Sequence, residues 1–141
     1  MMRRRVVVTG MGCITPIGQT IGDMWKGLMS GASGIGTITH FDASRFPTKF
    51  AAEVKNYDLS KYVADPDRYA ACGRNIRFAI GAAMQAVQDA GLDDCSSLDP
   101  SMFGVYLGAG EGAQDFNIFM SIIAESRRGD VVDIGEFARL G

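Results

Sequence analysis

The run Arg5-Val6-Val7-Val8-Thr9-Gly10-Met11-Gly12-Cys13-Ile14-Thr15-Pro16-Ile17-Gly18 decides how the rest of the chain is read. Three consecutive β-branched valines ahead of a glycine-rich turn predict a short strand buried on both faces. Such a strand neither satisfies its own edges nor covers its own faces. It therefore predicts neighbouring strands, covering helices and an α/β domain built in layers. Strand, glycine loop and helix also open dinucleotide-binding domains, for which the test is G-x-G-x-x-G. Here Gly10-Met11-Gly12-Cys13-Ile14 continues with Thr15 and Pro16, so the third glycine is missing. The second glycine run, Gly108-Ala109-Gly110-Glu111-Gly112, sets a carboxylate where a pyrophosphate would sit and repels it. No G-K-[ST] follows either run. A nucleotide-binding α/β domain is left as the weaker alternative.

With 141 residues, 47% hydrophobic and 21% charged, the chain has the composition of one globular domain. A net charge of −2 gives no electrostatic basis for binding nucleic acid or an anionic membrane. No apolar run approaches the roughly 18 residues that a membrane helix needs. The basic start Met1-Met2-Arg3-Arg4-Arg5 is not a signal peptide, because Thr9-Gly10 break the apolar stretch and no small-residue cleavage site follows. Cys13, Cys72 and Cys95 show no paired spacing, which predicts reduced thiols and a cytoplasmic setting. His40 is the single histidine, so a site that needs two cannot come from these residues. No metal site and no cofactor are predicted.

Thr20 is placed to cap a helix whose apolar positions, Ile21, Met24, Trp25, Leu28 and Met29, form one face expected to pack in the core. Gly31 suits its left-handed end. From Ser33 to Val63 the pattern is irregular: loops around Gly34-Ile35-Gly36 and Phe41–Ser44, a short strand in Lys49–Val54, and a turn at Asn56-Tyr57-Asp58. A helix is predicted from Tyr69 to Ala90, with Cys72, Ile76, Ala79, Ile80, Ala83, Met84 and Val87 on its buried face. Gly73 and Gly81 within it each cost about 1 kcal/mol against Ala, a cost that close approach to another backbone would offset. Phe103–Gly108 reads as a second strand, and a third helix is predicted from about Asp115. The residues after Arg127 are polar and weakly patterned, and Leu140-Gly141 carries no recognisable ending.

Five collinear pieces go beyond these local patterns: Val8–Gly12 with Thr15–Gly18, Gly34-Ile35 to Phe41–Ser44, Lys49–Ala51 with Glu53–Asp58, Asp89–Leu92, and Gly104–Gly108. Together they resemble the opening of β-ketoacyl-acyl-carrier-protein synthases, and the resemblance thins after about Phe116. It implies that residues 1–141 are an incomplete N-terminal portion of a thiolase-like layered α/β fold, roughly the first third of a homodimeric protein. The implied chemistry is a decarboxylative Claisen condensation with acyl carrier protein as partner. It uses an acyl-accepting cysteine at a buried helix start and two histidines. In the family all three lie beyond Gly141, so no catalytic residue is assigned among these residues, and the chain alone is predicted inactive. A chain-length-factor-like partner without the cysteine is the alternative within the family.

Two groups of residues carry the expected ligand contacts. Gly110, Glu111 and Gly112 match the family's G-x-G-apolar-G, which borders the acyl pocket. Glu111 stands in the apolar place, where it either faces the pocket at a desolvation cost or turns to the surface. Arg68, Arg74 and Arg77 are candidates for steering an acidic carrier protein, the competing reading being internal pairing or a solvated face.

Overall fold

The computed structural model describes residues 5–70, 72–92, 94, 96, 98–110 and 116–140. Its regular elements are helix α1 (Ile21–Met29), strands β1 (Ile35–Thr37) and β2 (Phe50–Ala52), helix α2 (Arg74–Asp89), helix α3 (Phe116–Ser126), strands β3 (Arg127–Arg128) and β4 (Val131–Val132), and helix α4 (Ile134–Leu140). The chain is thus mixed α and β. The described strands form two small antiparallel sheets, β1 with β2 and β3 with β4. Ile35 lies opposite Ala52 and Thr37 opposite Phe50 in the first.

Helix α1 starts and stops as its sequence dictates. The Thr20 hydroxyl accepts from the Asp23 amide at 3.1 Å, satisfying one of the orphan donors of the first turn. Gly31 takes the left-handed conformation after the last turn, with φ +68°. Its apolar face is not core, however: Trp25, Leu28 and Met29 are all exposed.

The two predicted strands that carried most of the layered expectation are not strands here. Val6, Val7 and Val8 form no strand, and Val6 is 95% exposed. Phe103–Leu107 is likewise unpaired, with Tyr106 fully exposed. Both segments keep β-forming side chains, but among the described residues no strand lies beside either to complete a ladder. By contrast, Gly34-Ile35-Gly36, expected as loop, supplies part of β1, because β2 offers it a partner.

Helix α2 begins later than predicted. A 3-10 turn at Asp67–Tyr69 precedes it, and Gly73 is its cap rather than an interior residue. The predicted face is covered only in part: Cys72, Ile80, Met84 and Val87 are half-buried, whereas Ile76, Ala79 and Ala83 are exposed. The covered surface extends to Gly81, which is buried, and to Phe78, Ala82, Gln85 and Ala86, which are half-buried. Small side chains explain that extension. Gly10 and Gly12 lie directly on the α2 backbone at Ala82, Ala86 and Ala90, so that a β-carbon on either glycine would collide with main-chain atoms. Gln85 Nε2 donates to the carbonyls of Cys13 (3.2 Å) and Gln19 (2.8 Å), and the Met11 amide donates to Asp89 Oδ2 at 2.9 Å. Gly81 is closely approached too, but by side chains and not by the backbone expected: the Tyr57 hydroxyl oxygen lies 2.5 Å, and a Tyr62 ring carbon 3.2 Å, from where a β-carbon would stand.

Beyond α2, the residues read as weakly patterned form a hairpin and a helix. Gly129 adopts φ +67° in the two-residue turn Gly129-Asp130 between β3 and β4. The Gly-Asp pair is a hairpin cue that the sequence reading passed over. Phe119 of α3 meets Phe137 of α4 edge-on at 6.1 Å. The third helix starts at Phe116, while Asp115 lies outside the described residues.

The seam between loop and helix makes the first testable point. Gly12→Ala places a methyl group against the Ala82 carbonyl and is expected to cost about 2 kcal/mol or more, as overpacking does. Gly104→Ala, with open space around it, should stay within about 0.5 kcal/mol of the parent. Urea unfolding of the two variants beside the parent checks the contrast.

Candidate functional site

The start of α2 gathers the side chains with the most chemistry. Arg74, in its first turn, reaches back across the chain: Nη2 donates to the Val54 carbonyl at 3.3 Å, and Nη1 lies 2.8 Å and 2.6 Å from the two ring nitrogens of His40. Its guanidinium sits 5.6 Å from the centre of the Phe78 ring, within cation–π range. Arg77 turns the other way, donating from Nε to the Tyr69 carbonyl at 3.1 Å and from Nη2 to the Ala70 carbonyl at 2.5 Å. Both arginines therefore brace backbone carbonyls outside α2: Val54 just after β2, and Tyr69 and Ala70 at the end of the 3-10 turn.

Tyr57 stands between them. It packs edge-on to Phe78 at 4.9 Å, stacks on Tyr62 at 5.8 Å, and donates its hydroxyl proton to the Arg77 carbonyl at 2.5 Å. Burial, the neighbouring Tyr62 and Asp58 hold its phenol above the ordinary value of 10.0, against the pull of a backbone hydrogen bond and Arg77, so it stays protonated at neutral pH. Tyr57, Phe78, Arg74 and Arg77 together line a cleft of about 290 Å³. Asn56 ahead of Tyr57 takes φ 54°, which turns the chain so that the ring faces α2.

Glu53 is buried beside this group. Its carboxylate accepts from the Thr39 amide at 3.1 Å and from the Thr39 hydroxyl at 2.7 Å, and lies 3.8 Å from His40 Nε2. The Thr39 hydroxyl, then the Thr39 amide, hold the carboxyl below its ordinary 4.5, against the opposing effect of burial, with His40 adding to the lowering. His40 reads from sequence as a loop residue, surface-lying or hydrogen-bonded, and nothing in the spacing links it to Arg74, 34 positions later.

Of the residues proposed for docking, Arg74 and Arg77 are thus brought together around Tyr57 and Phe78. Arg68 lies exposed on the 3-10 turn Asp67–Tyr69, with no ion pair among the described residues. Gly110 is exposed with open space around it, while Glu111 and Gly112 lie outside the described residues. Among the cysteines, Cys13 is half-buried in the glycine loop, where burial and then the Asp23 charge push its thiol up from 9.0, the wrong direction for a nucleophile. Cys95 lies outside the described residues. Among the described residues no three His, Cys, Asp or Glu side chains gather as a metal site, and no helix is long and apolar enough to cross a membrane.

Comparison with known proteins places this geometry. Residues 3–135 match the family model "Beta-ketoacyl synthase, N-terminal domain". A protein named 3-oxoacyl-[acyl-carrier-protein] synthase 2 from Vibrio harveyi is 42% identical over 115 residues, which are 82% of this chain and 27% of the relative. Its namesake in Synechocystis is 44% identical over 110 residues, 78% of this chain and 26% of the relative. The chain thus spans about a quarter of the length of these relatives. Among solved structures, "The ishigamide ketosynthase/chain length factor" superposes with a TM-score of 0.64 at 29% identity, covering 98% of this chain and 34% of the other.

The Glu53 network sets a pH dependence. A carboxyl whose folded pKa lies below its unfolded value adds stability above about 4.5, and that stability is lost as the pH falls through the folded value. Glu53→Gln should lower stability at neutral pH and converge on the parent in acid. Some acid loss should remain, because Asp42, Asp58, Asp99 and Asp133 are held low as well. Thermal unfolding across the acid range reads both features.

Proposed function

The chain belongs to the β-ketoacyl synthase family, through that family's N-terminal domain, and on this premise we propose that it is the N-terminal portion of a 3-oxoacyl-acyl-carrier-protein synthase. The observation that carries the reading is the match over residues 3–135 together with two relatives above 40% identity that share one name. In the proposal the whole protein is a cytoplasmic homodimer of thiolase-like layered α/β fold, and residues 1–141 are an incomplete part of its first domain. It lengthens acyl chains in fatty-acid or polyketide synthesis. A malonyl thioester on acyl carrier protein loses carbon dioxide, and the resulting enolate carbon attacks an acyl thioester held on a cysteine, expelling the thiolate.

In this reading that cysteine lies outside residues 1–141. The Cys13 thiol is raised in pKa and enclosed by the glycine loop, and His40 is the single histidine where two are needed. The contribution of these residues is therefore partner recognition and support. Arg68, Arg74 and Arg77 form the proposed docking face for the acidic carrier protein, and Arg68 is exposed and without an ion pair among the described residues. Gly110, Glu111 and Gly112 are proposed to border the acyl pocket.

The name of the structural neighbour favours a second reading within the family, a chain-length-factor-like partner that has the fold without the nucleophile. The two readings share the carrier-protein face and differ in whether the protein to which these residues belong forms an acyl-cysteine.

The chain incubated with acyl- and malonyl-carrier protein is expected to yield no β-ketoacyl product by mass spectrometry. Titration with acyl carrier protein should nevertheless show binding that weakens with salt, as charge steering requires. Arg68→Glu should weaken that binding about tenfold, in line with reversal of one charge at an interface rim. Binding indifferent to both salt and Arg68 would remove the docking face from the proposal.

A further inference from the structure

The chain exposes more surface than its mass accounts for. A folded chain of 15.1 kDa is expected to leave about 7,000 Å² accessible, whereas this one leaves 11535 Å². The surplus, on the order of 4,000 Å², far exceeds the roughly 800 Å² per partner that a stable interface needs. One part of it is shaped and charged to meet its own copy. On α1, Trp25, Leu28 and Met29 are spaced as one helical strip, and all three are exposed, Trp25 to 61%. Gly22, three residues before Trp25, leaves a notch on that strip: a β-carbon there would meet nothing nearer than the Thr20 hydroxyl at 4.0 Å. Beside it a cleft of about 420 Å³ opens between the start of α1 and the end of α2, bordered by Met11, Ile21, Gly22 and Gln88. Asp23 stands in the first turn of the helix and Lys26 in the last.

We propose that this face joins two copies of the chain, with their α1 helices antiparallel across a two-fold axis at Trp25. Such an axis brings Gly22 level with Leu28 of the second copy, and Ile21 level with Met29 of the second copy. The two large side chains then enter the cleft beside Gly22, whose missing side chain lets the helices approach. Asp23 comes within about 1.5 Å, along the axis, of the level of Lys26 of the second copy. The two-fold repeats this carboxylate–ammonium pair, and the antiparallel helix dipoles favour it. The Asp23–Lys26 pair within each helix is long, at 3.9 Å, and solvent-exposed, so little is lost in exchanging it. The exposed Val6–Val8 and Phe103–Leu107 runs carry no charges of their own to pair in this way. The α1 face shares no residue with Arg68, Arg74 and Arg77, so its failure leaves the carrier-protein reading as it was.

Sedimentation of the 141-residue chain over a micromolar concentration series tests the pairing. The mass should rise from one chain to two, with a dissociation constant in the micromolar range that interfaces of standard size reach. Because Trp25 is the single tryptophan, its emission should move to shorter wavelength over the same concentrations. Gly22→Gln fills the notch while replacing glycine by a better helix former, so α1 is kept and association should weaken about tenfold. Asp23→Lys sets like charges level across the axis and should also weaken it about tenfold. Adding Lys26→Asp to that variant should restore association to within about threefold of the parent. A single-chain mass at every concentration, growth past two chains, association unmoved by Gly22→Gln, or a double exchange that restores nothing overturns the antiparallel dimer.

Discussion

The glycine loop and α2 are held together by two backbones lying closer than side chains normally allow. Gly10 and Gly12 rest on α2 at Ala82, Ala86 and Ala90, positions spaced by four that form one strip along the helix. Glycine on one side and alanine on the other is the combination that permits this distance. Polar groups then fix the register: Gln85 holds the Cys13 and Gln19 carbonyls, and Asp89 holds the Met11 amide. These bonds satisfy main-chain groups of a loop that has no ladder of its own. The space beside Gly10 and Gly12, which in a dinucleotide fold would admit phosphate, is filled by the helix.

From this seam the packing spreads through shared acceptors. The Gln19 carbonyl receives Gln85 from α2 and also the Tyr62 hydroxyl at 3.4 Å. Tyr62 stacks on Tyr57, whose own hydroxyl ends on the Arg77 carbonyl, over the buried Gly81. Gly81 thus does for the aromatic pair what Gly10 and Gly12 do for the loop, with the missing side chain on the helix instead. One helix therefore receives two close approaches on neighbouring strips. Both need its smallest residues, and neither involves the large apolar side chains of the Ile76 face.

That division explains what the sequence made legible. Helix α1, its Thr20 cap and its Gly31 stop follow from hydrogen bonds within a dozen residues, and such local rules need no knowledge of the rest. The packed face of α2 was legible only in part, through Ile80, Met84 and Val87. Hydrophobic periodicity weights large side chains, whereas the strip at Ala82, Ala86 and Ala90 on which the glycine loop rests is made of small ones. His40 and Glu53 were missed for a related reason. Their partners, Arg74 and Thr39, are set by a turn at Asn56 and by the β1–β2 pairing, and neither leaves a spacing to read. The family resemblance, in contrast, was carried by the collinear pieces themselves and did not depend on any of these contacts.

The unpaired valines and the Phe103–Leu107 run show the same asymmetry from the other side. A helix closes its hydrogen bonds inside one segment, so its existence is a local property. A strand closes them on a neighbour, and β-propensity measures how well side chains fit a pleated, half-buried surface that something else must supply. Val6, Val7 and Val8 have the side chains for such a surface and are exposed for want of it. Ile35-Gly36-Thr37 has weaker side chains for the purpose and yet forms β1, because Phe50–Ala52 is there to pair with it. Strand formation in this chain follows the supply of a partner, and the intrinsic preference of the residues ranks second.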